Sequence, residues 1–395
     1  MRYSFVMRTV LTAKKLWNGT SLLDDPVILI EHGRIASIES RVASDLPVAG
    51  GDLVFNYHEA TLAPAFFDVH IHGAAGHDVM EATPEALTTI GRFLAAHGTG
   101  RYLATTVTAP LDATLRSLSG LAKLLAHPPD ADETVTWPIG IHLEGPFLSH
   151  LKRGVHPPEL LLAPDIAVFD KMYEAAEGNI RLMTLAPELP GAVEFAAHAS
   201  ARGVRVSVGH SNATAAETRA AIAAGAVSAT HTFNAMRPLD HREPGILGVV
   251  LATGSLFAEL ICDGIHNTPE MVKIWWRCKG PERAILITDA MSAAGMPDGE
   301  YSLAGLKIQV ANGRASFGDV LAGSVLSLDK ALANFLSFTG ASVEQGLRLL
   351  TANPAAMTGL GDRAGSLGLG EPANIVAVNG DGRLVASFVN GHKAE

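Results

Sequence analysis

The stretch FFDVHIHG at residues 66–73 decides the fold, because it is a short apolar run that ends in two histidines. In a β-strand, residues i and i+2 point to the same side, so His70 and His72 are predicted to project together from the end of one strand. Gly73 then lets the chain turn away sharply. Two neutral imidazoles side by side form half of a divalent-metal site. Two solvent-facing histidines on an edge strand would give the same pattern, so the rest of the chain has to decide.

The chain has 395 residues, of which 48% are hydrophobic and 18% are charged. This length suits a barrel with an appended domain, and the composition predicts a large buried core. The formal net charge is −10, and no Lys/Arg cluster is longer than a pair. We therefore expect neither nucleic acid nor an anionic membrane surface as a partner.

The two cysteines, Cys262 and Cys278, cannot form a disulfide framework, which favours a reducing compartment. The sequence has no run of 18 apolar residues, and residues 1–16 lack a sustained apolar segment followed by a cleavage site. We expect a cytoplasmic protein.

Both ends of the chain are strand-like. Residues 27–38 form two apolar runs around the turn signal EHGR, and residues 374–389 repeat this arrangement around NGDG. We predict that residues 1–62 and 360–395 build one small β-sandwich domain from both termini. Residues 63–359 would then form the second domain.

The middle of the chain alternates apolar strands with helices. After the first strand, strands are predicted at residues 102–107, 139–143, 181–185, 204–208, 227–230, 257–262 and 284–288. Helices are predicted at residues 84–97, 112–126, 192–201, 213–224, 326–338 and 343–351. Eight such strands predict an α/β fold, a closed (β/α)8 TIM-like barrel. An open doubly wound sheet is the alternative, but no glycine-rich dinucleotide fingerprint follows any strand. Residues 301–317 alternate around Asn312-Gly313, which predicts a β-hairpin insertion near residues 300–318.

Polar residues fall at the carboxyl ends of the predicted strands, which meet at one mouth of a parallel barrel. A single His or Asp at a strand end is usually a turn residue, but a whole set of them favours a metal site. The candidate metal ligands are His70, His72, Glu144, His210 and His231. Asp289 supplies a further carboxylate that is not assigned as a ligand. A metal lowers the pKa of a bound water towards about 7, and a neighbouring carboxylate can move its proton. This chemistry indicates hydrolysis, most naturally of an amide or similar acyl bond.

The arrangement of these residues resembles the amidohydrolase superfamily. Finer motifs over most of the chain are similar to the N-acetylglucosamine-6-phosphate deacetylase family. These motifs are HLEGPF (142–147), LAPE (185–188), GHSNA (209–213), TFNAM (232–236), REPG (242–245), DGIH (263–266), TDAM (288–291), LAGS (321–324) and NPA (353–355).

The resemblance implies a principal metal, most simply Zn²⁺ with Fe²⁺, Mn²⁺ or Co²⁺ as alternatives, held by Glu144, His210 and His231. It implies Asp289 as general acid/base, and His70 with His72 leave room for a second ion. The implied substrate contacts are His156 on the acetyl carbonyl, and Asn234, Ala235, Leu321, Ala322 and Gly323 on the sugar. Arg242 and His266 would bind the phosphate, in some members across a homodimer interface.

Four of these residues also have simpler interpretations. Arg242 could form a surface ion pair with Glu243 or Asp240. His266 could be a core histidine, His156 a solvated loop residue, and Asn234 a turn cap.

The function that the resemblance implies is metal-dependent deacetylation of N-acetyl-D-glucosamine 6-phosphate, a step of amino-sugar metabolism. The alternatives are another amidohydrolase, acting on N-acetylgalactosamine 6-phosphate, an N-acyl amino acid or a cyclic amide. An alternative of a different class is a non-catalytic protein that uses the barrel as an interaction scaffold. Such a protein has no reason to keep the full ligand set and Asp289.

Overall fold

Two small sheets are built from the ends of the chain, and the second of them combines strands from both termini. The computed structural model describes residues 8–40, 51–130, 133–303 and 305–395. The first sheet has the order β5-β4-β1-β6 and contains β1 (Thr9–Thr12), β4 (Pro26–Glu31), β5 (Arg34–Ser40) and β6 (Leu53–Asn56). The second has the order β24-β23-β22-β7-β2-β3 and contains β2 (Lys15–Trp17), β3 (Leu22–Asp24), β7 (Thr61–Pro64), β22 (Ile375–Val378), β23 (Leu384–Val389) and β24 (His392–Lys393).

Side chains of both sheets share one apolar core, which includes Leu11, Ile28, Leu62, Ile375 and Phe388. The two sheets therefore pack as the expected sandwich. Residues 1–7 and 41–50 of the predicted small domain lie outside the described residues, and the exact domain limits stay a prediction.

Eight parallel strands follow one another in chain order around the barrel. They are β8 (Phe66–Ile71), β11 (Thr99–Thr106), β12 (Trp137–Glu144), β13 (Ile180–Leu185), β14 (Arg205–Val208), β15 (Ala226–Ala229), β16 (Phe257–Ile261) and β17 (Ala284–Ile287). Their apolar residues join the main core of the protein, as expected for parallel strands that are covered on both faces. The barrel predicted from the sequence is confirmed, with strand ends that differ by three residues at most.

The barrel closes between its first and last strands. The carbonyl of Ala290 accepts hydrogen bonds from the backbone N–H groups of His72 and Gly73, at 2.8 and 3.1 Å. Where the first and last strands meet, which we call the seam, the buried side chain of Asp68 also accepts hydrogen bonds. The donors are the hydroxyl and backbone amide of Thr288 and the backbone amide of His70. A side chain thus supplements the backbone pairing where the two ligand-bearing strands meet.

Helices connect the strands and cover the barrel. They are α1 (Pro84–Ala96), α2 (Leu111–Ala126), α3 (Ile166–Ala175), α4 (Ala192–Ala201), α5 (Ala215–Ala223), α6 (Gly245–Ala252), α7 (Pro269–Arg283), α8 (Leu328–Thr339), α9 (Val343–Leu350) and α10 (Ala352–Thr358). Local sequence explains several of their starts: Thr83 caps α1 before Pro84, and Thr214 and Glu217 form a capping box on α5. None of the helices in the described part of the chain is long and apolar enough to cross a membrane.

Two short elements lie at the mouth of the barrel. The pair β9 (Gly73–Ala74) and β10 (His77–Asp78) directly follows β8. The insertion after β17 is larger than the predicted hairpin, because it forms a four-stranded antiparallel sheet of β18 (Gly299–Leu303), β19 (Leu306–Ala311), β20 (Arg314–Phe317) and β21 (Val320–Leu321). Asn312 and Gly313 have φ values of 52° and 74°, so the predicted tight turn is present between β19 and β20.

Candidate metal centre and active site

Six candidate ligands from five strand ends meet at the barrel mouth. His70 lies on β8 and His72 directly follows it, Glu144 ends β12, and His210, His231 and Asp289 come within two residues of the ends of β14, β15 and β17. They form two groups, and within each group the ligand atoms lie within 4.8 Å of one another. One group is His70, His72 and Asp289, and the other is Glu144, His210 and His231. All six side chains are buried. The clustering predicted from the strand ends is therefore present in the fold.

Glu144 lies between the two groups. Its Oε1 is 3.0 Å from His231 Nε2 and 3.2 Å from His210 Nε2. Its Oε2 is 3.2 Å from His72 Nε2, in the other group. Asp289 Oδ1 lies 3.1 Å from His72 Nε2 and 3.3 Å from His70 Nε2. One carboxylate can thus reach both groups.

The donor set fits divalent metal ions. The Nε2 atoms of His210 and His231 are 3.1 Å apart, and those of His70 and His72 are 3.3 Å apart. Two ligands of a tetrahedral ion with bonds of 2.0–2.1 Å would lie about 3.3 Å apart. In the described part of the chain, the ion-pair partners of Glu144 and Asp289 are all histidines. Buried carboxylates need cationic compensation, which metal ions at these positions would supply.

Electrostatics keeps both carboxylates ionised. Burial alone would raise the pKa of Glu144, but His70, His156 and the other neighbouring histidines outweigh burial and hold this pKa well below its usual range. Burial is likewise overcome at Asp289, where His70 and His72 lower the pKa to about 2. Asp289 is therefore an anion at neutral pH and can accept a proton.

Three of the ligand residues have an uncommon backbone conformation. The φ values of His210, His231 and Asp289 are 45°, 25° and 51°, in the left-handed region that favours glycine. Such strain costs about 1–3 kcal/mol per residue and clusters at functional sites. The strained turns aim these side chains at the barrel axis directly after their strands end.

His156 lies beside the ligand cluster as a neutral hydrogen-bond donor. Its Nδ1 is 2.8 Å from the Thr108 hydroxyl and accepts a hydrogen bond from the Thr108 backbone amide. The ring proton is therefore assigned to Nε2, which lies 3.6 Å from Glu144 Oε2. Burial lowers the pKa of His156 to about 4. This histidine is a buried member of the site and not a solvated loop residue.

A cavity of about 480 Å³ opens above the cluster. This volume lies within the usual range for small-molecule sites, about 300–1,000 Å³. The predicted substrate contacts that line it are His156, Asn234, Ala235, His266, Leu321 and Gly323. Ala322 is fully buried between two of these residues, and Leu303 and Leu306 of the insertion complete an apolar wall. Arg242 is exposed and lies outside this wall.

His266 is held by a carboxylate. Its Nδ1 lies 2.7 Å from Asp263 Oδ2, and the other oxygen of Asp263 accepts hydrogen bonds from the backbone N–H groups of Ile265 and His266. Burial tends to raise the pKa of Asp263, but the hydrogen bond from His266 outweighs it and lowers this pKa. The contact with Asp263 thus orients the His266 ring through its Nδ1.

Sequence reasoning missed four residues of this site. His150, Lys152 and Arg153, in the loop after β12, line the cavity, and Lys152 and Arg153 place cationic groups in an acidic protein. The signal was the run HLKR, which is separated from the end of the HLEGPF motif by two residues. Glu259 on β16 is fully buried beside His70. Its signal was a glutamate inside the apolar run FAELI.

The chain is similar to known proteins over almost its whole length. A sequence model of the amidohydrolase family matches residues 61–394. N-acetylgalactosamine-6-phosphate deacetylase of Escherichia coli O157:H7 is 37% identical over 390 residues, which cover 98% of this chain and 100% of that protein. N-acetylglucosamine-6-phosphate deacetylase of Vibrio furnissii is 34% identical over 386 residues, 96% of this chain and 93% of that protein.

Solved structures agree with these sequence relatives. A mutant of N-acetyl-D-glucosamine-6-phosphate deacetylase from Mycobacterium smegmatis, in complex with N-acetyl-D-glucosamine-6-phosphate, superposes with a TM-score of 0.89 and is 35% identical. The match covers 98% of this chain and 99% of that one. N-acetylglucosamine-6-phosphate deacetylase from Thermotoga maritima superposes with a TM-score of 0.83 at 30% identity, covering 99% of both chains.

Proposed function

The chain belongs to the amidohydrolase family, and on that premise we propose that it hydrolyses the acetamide of N-acetyl-D-glucosamine 6-phosphate to D-glucosamine 6-phosphate and acetate. The observation that carries the proposal is the pair of ligand groups at the floor of a 480 Å³ cavity. Full-length similarity to amino-sugar phosphate deacetylases supports the choice of substrate.

Glu144, His210 and His231 would hold the principal ion, and His70 and His72 could hold a second with Asp289. Zn²⁺ is our first choice, since imidazole and carboxylate are its ordinary ligands; Fe²⁺, Mn²⁺ and Co²⁺ accept the same donors. When bound, such an ion supplies a Lewis acid for the acetyl carbonyl and lowers the pKa of an attacking water.

Asp289 is proposed as the general acid/base. Its carboxylate is ionised, lies at the mouth and lines the cavity, so it can take a proton from the attacking water. The same group would return the proton to the departing amine. His156 would donate its Nε2–H to the acetyl oxygen, where negative charge develops in the transition state.

The sugar phosphate is proposed to lie along the cavity wall. Asn234, Ala235, Leu321, Ala322 and Gly323 would contact the sugar. The phosphate would meet His266, and Arg242 from the same or a partner subunit. Arg242 is exposed, which suits a role at an interface between two copies of the chain, and we propose a homodimer. The loop that contains His150, Lys152 and Arg153 offers further donors from within the same chain.

Deacetylation of N-acetyl-D-galactosamine 6-phosphate is a second candidate activity. The specific support is the Escherichia coli O157:H7 relative, which is 37% identical and covers the whole of that deacetylase. The two sugars differ in the configuration of one hydroxyl, so the same metal centre and phosphate contacts would serve both. N-acyl amino acids and cyclic amides remain weaker alternatives, because they do not require His266 or Arg242.

The test is acetate release from the two sugar phosphates and from unphosphorylated N-acetylglucosamine, on chelator-stripped protein with and without Zn²⁺. We expect metal-dependent turnover of at least one phosphorylated sugar, and much slower turnover of the free sugar. The ratio of kcat/KM for the two epimers assigns the substrate. Turnover of neither phosphate would refute the proposal. An unchanged KM in Arg242→Ala would remove Arg242 from the phosphate site.

The cellular setting follows the same reasoning. Cys262 and Cys278 are both free, the first buried and the second exposed. Free thiols and a phosphorylated substrate support a cytoplasmic location in amino-sugar metabolism.

A further inference from the structure

Glu259 is a buried carboxylate that the proposed mechanism does not use. It lies on β16 inside the barrel and is 0% exposed. Neither of its carboxylate oxygens accepts a hydrogen bond from the described residues. A buried carboxylate without a partner is costly, so its environment should contain a hydrogen-bond donor. The polar group it faces is the imidazole of His70, whose Nδ1 lies 3.5 Å from Glu259 Oε2.

The two nitrogens of His70 have different surroundings. Nε2 faces the ligand cluster, 3.3 Å from both His72 Nε2 and Asp289 Oδ1. Nδ1 is buried, faces Glu259 and makes no hydrogen bond of ideal geometry to the described residues. A histidine that binds a metal through Nε2 must carry its proton on Nδ1, and this proton then needs an acceptor. Glu259 is positioned to be that acceptor.

This arrangement distinguishes His70 from the neighbouring ligands. The Nδ1 atoms of His72 and His210 face neutral backbone carbonyls, of Thr105 at 3.1 Å and of Lys152 at 2.9 Å. His70 instead faces a carboxylate. A carboxylate is a stronger acceptor for an Nδ1 proton than a neutral carbonyl, so it favours the tautomer of His70 that leaves Nε2 available to a metal.

We propose that Glu259 is a positioning residue that keeps His70 in its Nδ1-protonated form and thereby allows the group of His70, His72 and Asp289 to hold a second divalent ion. This inference deepens the proposed function and rests on it for the presence of a metal. It also predicts that the wild-type chain binds two ions.

The experiment counts ions and does not depend on turnover. Wild type, Glu259→Gln and Glu259→Met are stripped with chelator, titrated with Zn²⁺ and analysed for metal per chain. Titration with Mn²⁺ adds a spectroscopic signature, because two adjacent ions couple magnetically. We expect two ions in wild type. In Glu259→Met we expect the second ion to bind about 10–100-fold more weakly while the first is retained. Glu259→Gln, which keeps an acceptor oxygen but loses the charge, should lie between them.

Glu188→Gln is the matched control. This carboxylate lies at the same barrel face and accepts hydrogen bonds from the Ser211 hydroxyl and the Asn212 amide, and not from an imidazole. We expect it to keep two ions. One ion in saturated wild type, wild-type affinity for the second ion in Glu259→Met, or equal weakening of both ions in Glu259→Gln would each overturn the proposal. Two ions without deacetylation of any sugar phosphate would refute the proposed function and leave the role of Glu259 intact.

Discussion

Replacing Asp68 with alanine should loosen the seam at which the barrel closes. The side chain accepts hydrogen bonds from the Thr288 hydroxyl and from the backbone amides of His70 and Thr288. The hydroxyl has the carbonyl of His70 as another partner, so the substitution leaves two buried amides without an acceptor. At about 1–3 kcal/mol for each such amide, the free energy of unfolding should fall by about 2–6 kcal/mol.

The effect should depend on pH. Burial raises the pKa of Asp68 to about 7, above the value near 3.9 of an unfolded aspartate. The unfolded chain therefore loses this proton first as the pH rises. The stabilising contribution of Asp68 is fully present below about pH 4, declines as the pH rises towards 7 and is constant above that. Asp68→Ala should thus cost more stability at pH 5 than at pH 8.

Guanidinium unfolding of the metal-free protein, followed by circular dichroism at both pH values, measures this. Asp68→Asn is the matched control, because its amide resembles the protonated acid and can still accept from the two backbone amides. It should cost less than alanine, and its stability should lack the pH dependence assigned to Asp68. A loss below about 1 kcal/mol in Asp68→Ala would contradict the role of Asp68 in closing the barrel. An equal loss at both pH values would contradict the raised pKa of Asp68.

The remaining predictions concern the site and one buried lysine. Asp289→Asn should keep the fold and the principal metal but lower kcat by orders of magnitude; near-normal kcat would remove Asp289 from its role. His156→Phe should lower kcat by about 10²–10³-fold at unchanged metal content, as expected for loss of one transition-state donor. Asp263→Asn should raise KM for the sugar phosphate more than it lowers kcat, because His266 loses its orienting partner; steady-state kinetics separates the two effects. Burial lowers the pKa of Lys279 to about 8, so the folded chain releases this proton before the unfolded chain does as the pH rises. The wild-type protein should therefore gain stability between pH 8 and about 10. Unfolding midpoints of Lys279→Met should lack this gain.

The sequence was sufficient for the barrel because its strands are continuous apolar runs that end in polar residues. Those runs are what parallel strands covered on both faces require, and their ends placed His70, Glu144 and Asp289 at one mouth. Helix α6 was not predicted, since its sequence GILGVVLA is apolar on every face and shows no helical periodicity.

Other features of the site depend on three-dimensional context. The left-handed backbone at His210 and His231 has no local signal, because neither residue is a glycine. The fourth strand of the insertion was missed because β21 has only two residues. The role of Arg242 at the phosphate stays a prediction, because this residue is exposed and lies outside the cavity wall.

The pairing of β7 with β22 sets an order of events during synthesis. Strands β8 to β17 have all been synthesised once residue 287 is added, so the barrel can begin to fold on the nascent chain before the C-terminal strands are made. The sheet that contains β7 cannot be completed until residues 375–393 arrive, because β22 supplies one of its two neighbours. The earliest part of the chain to be made is therefore among the last to be finished. During that interval β7 presents an unpaired edge, and we expect this stage to be the one most prone to aggregation.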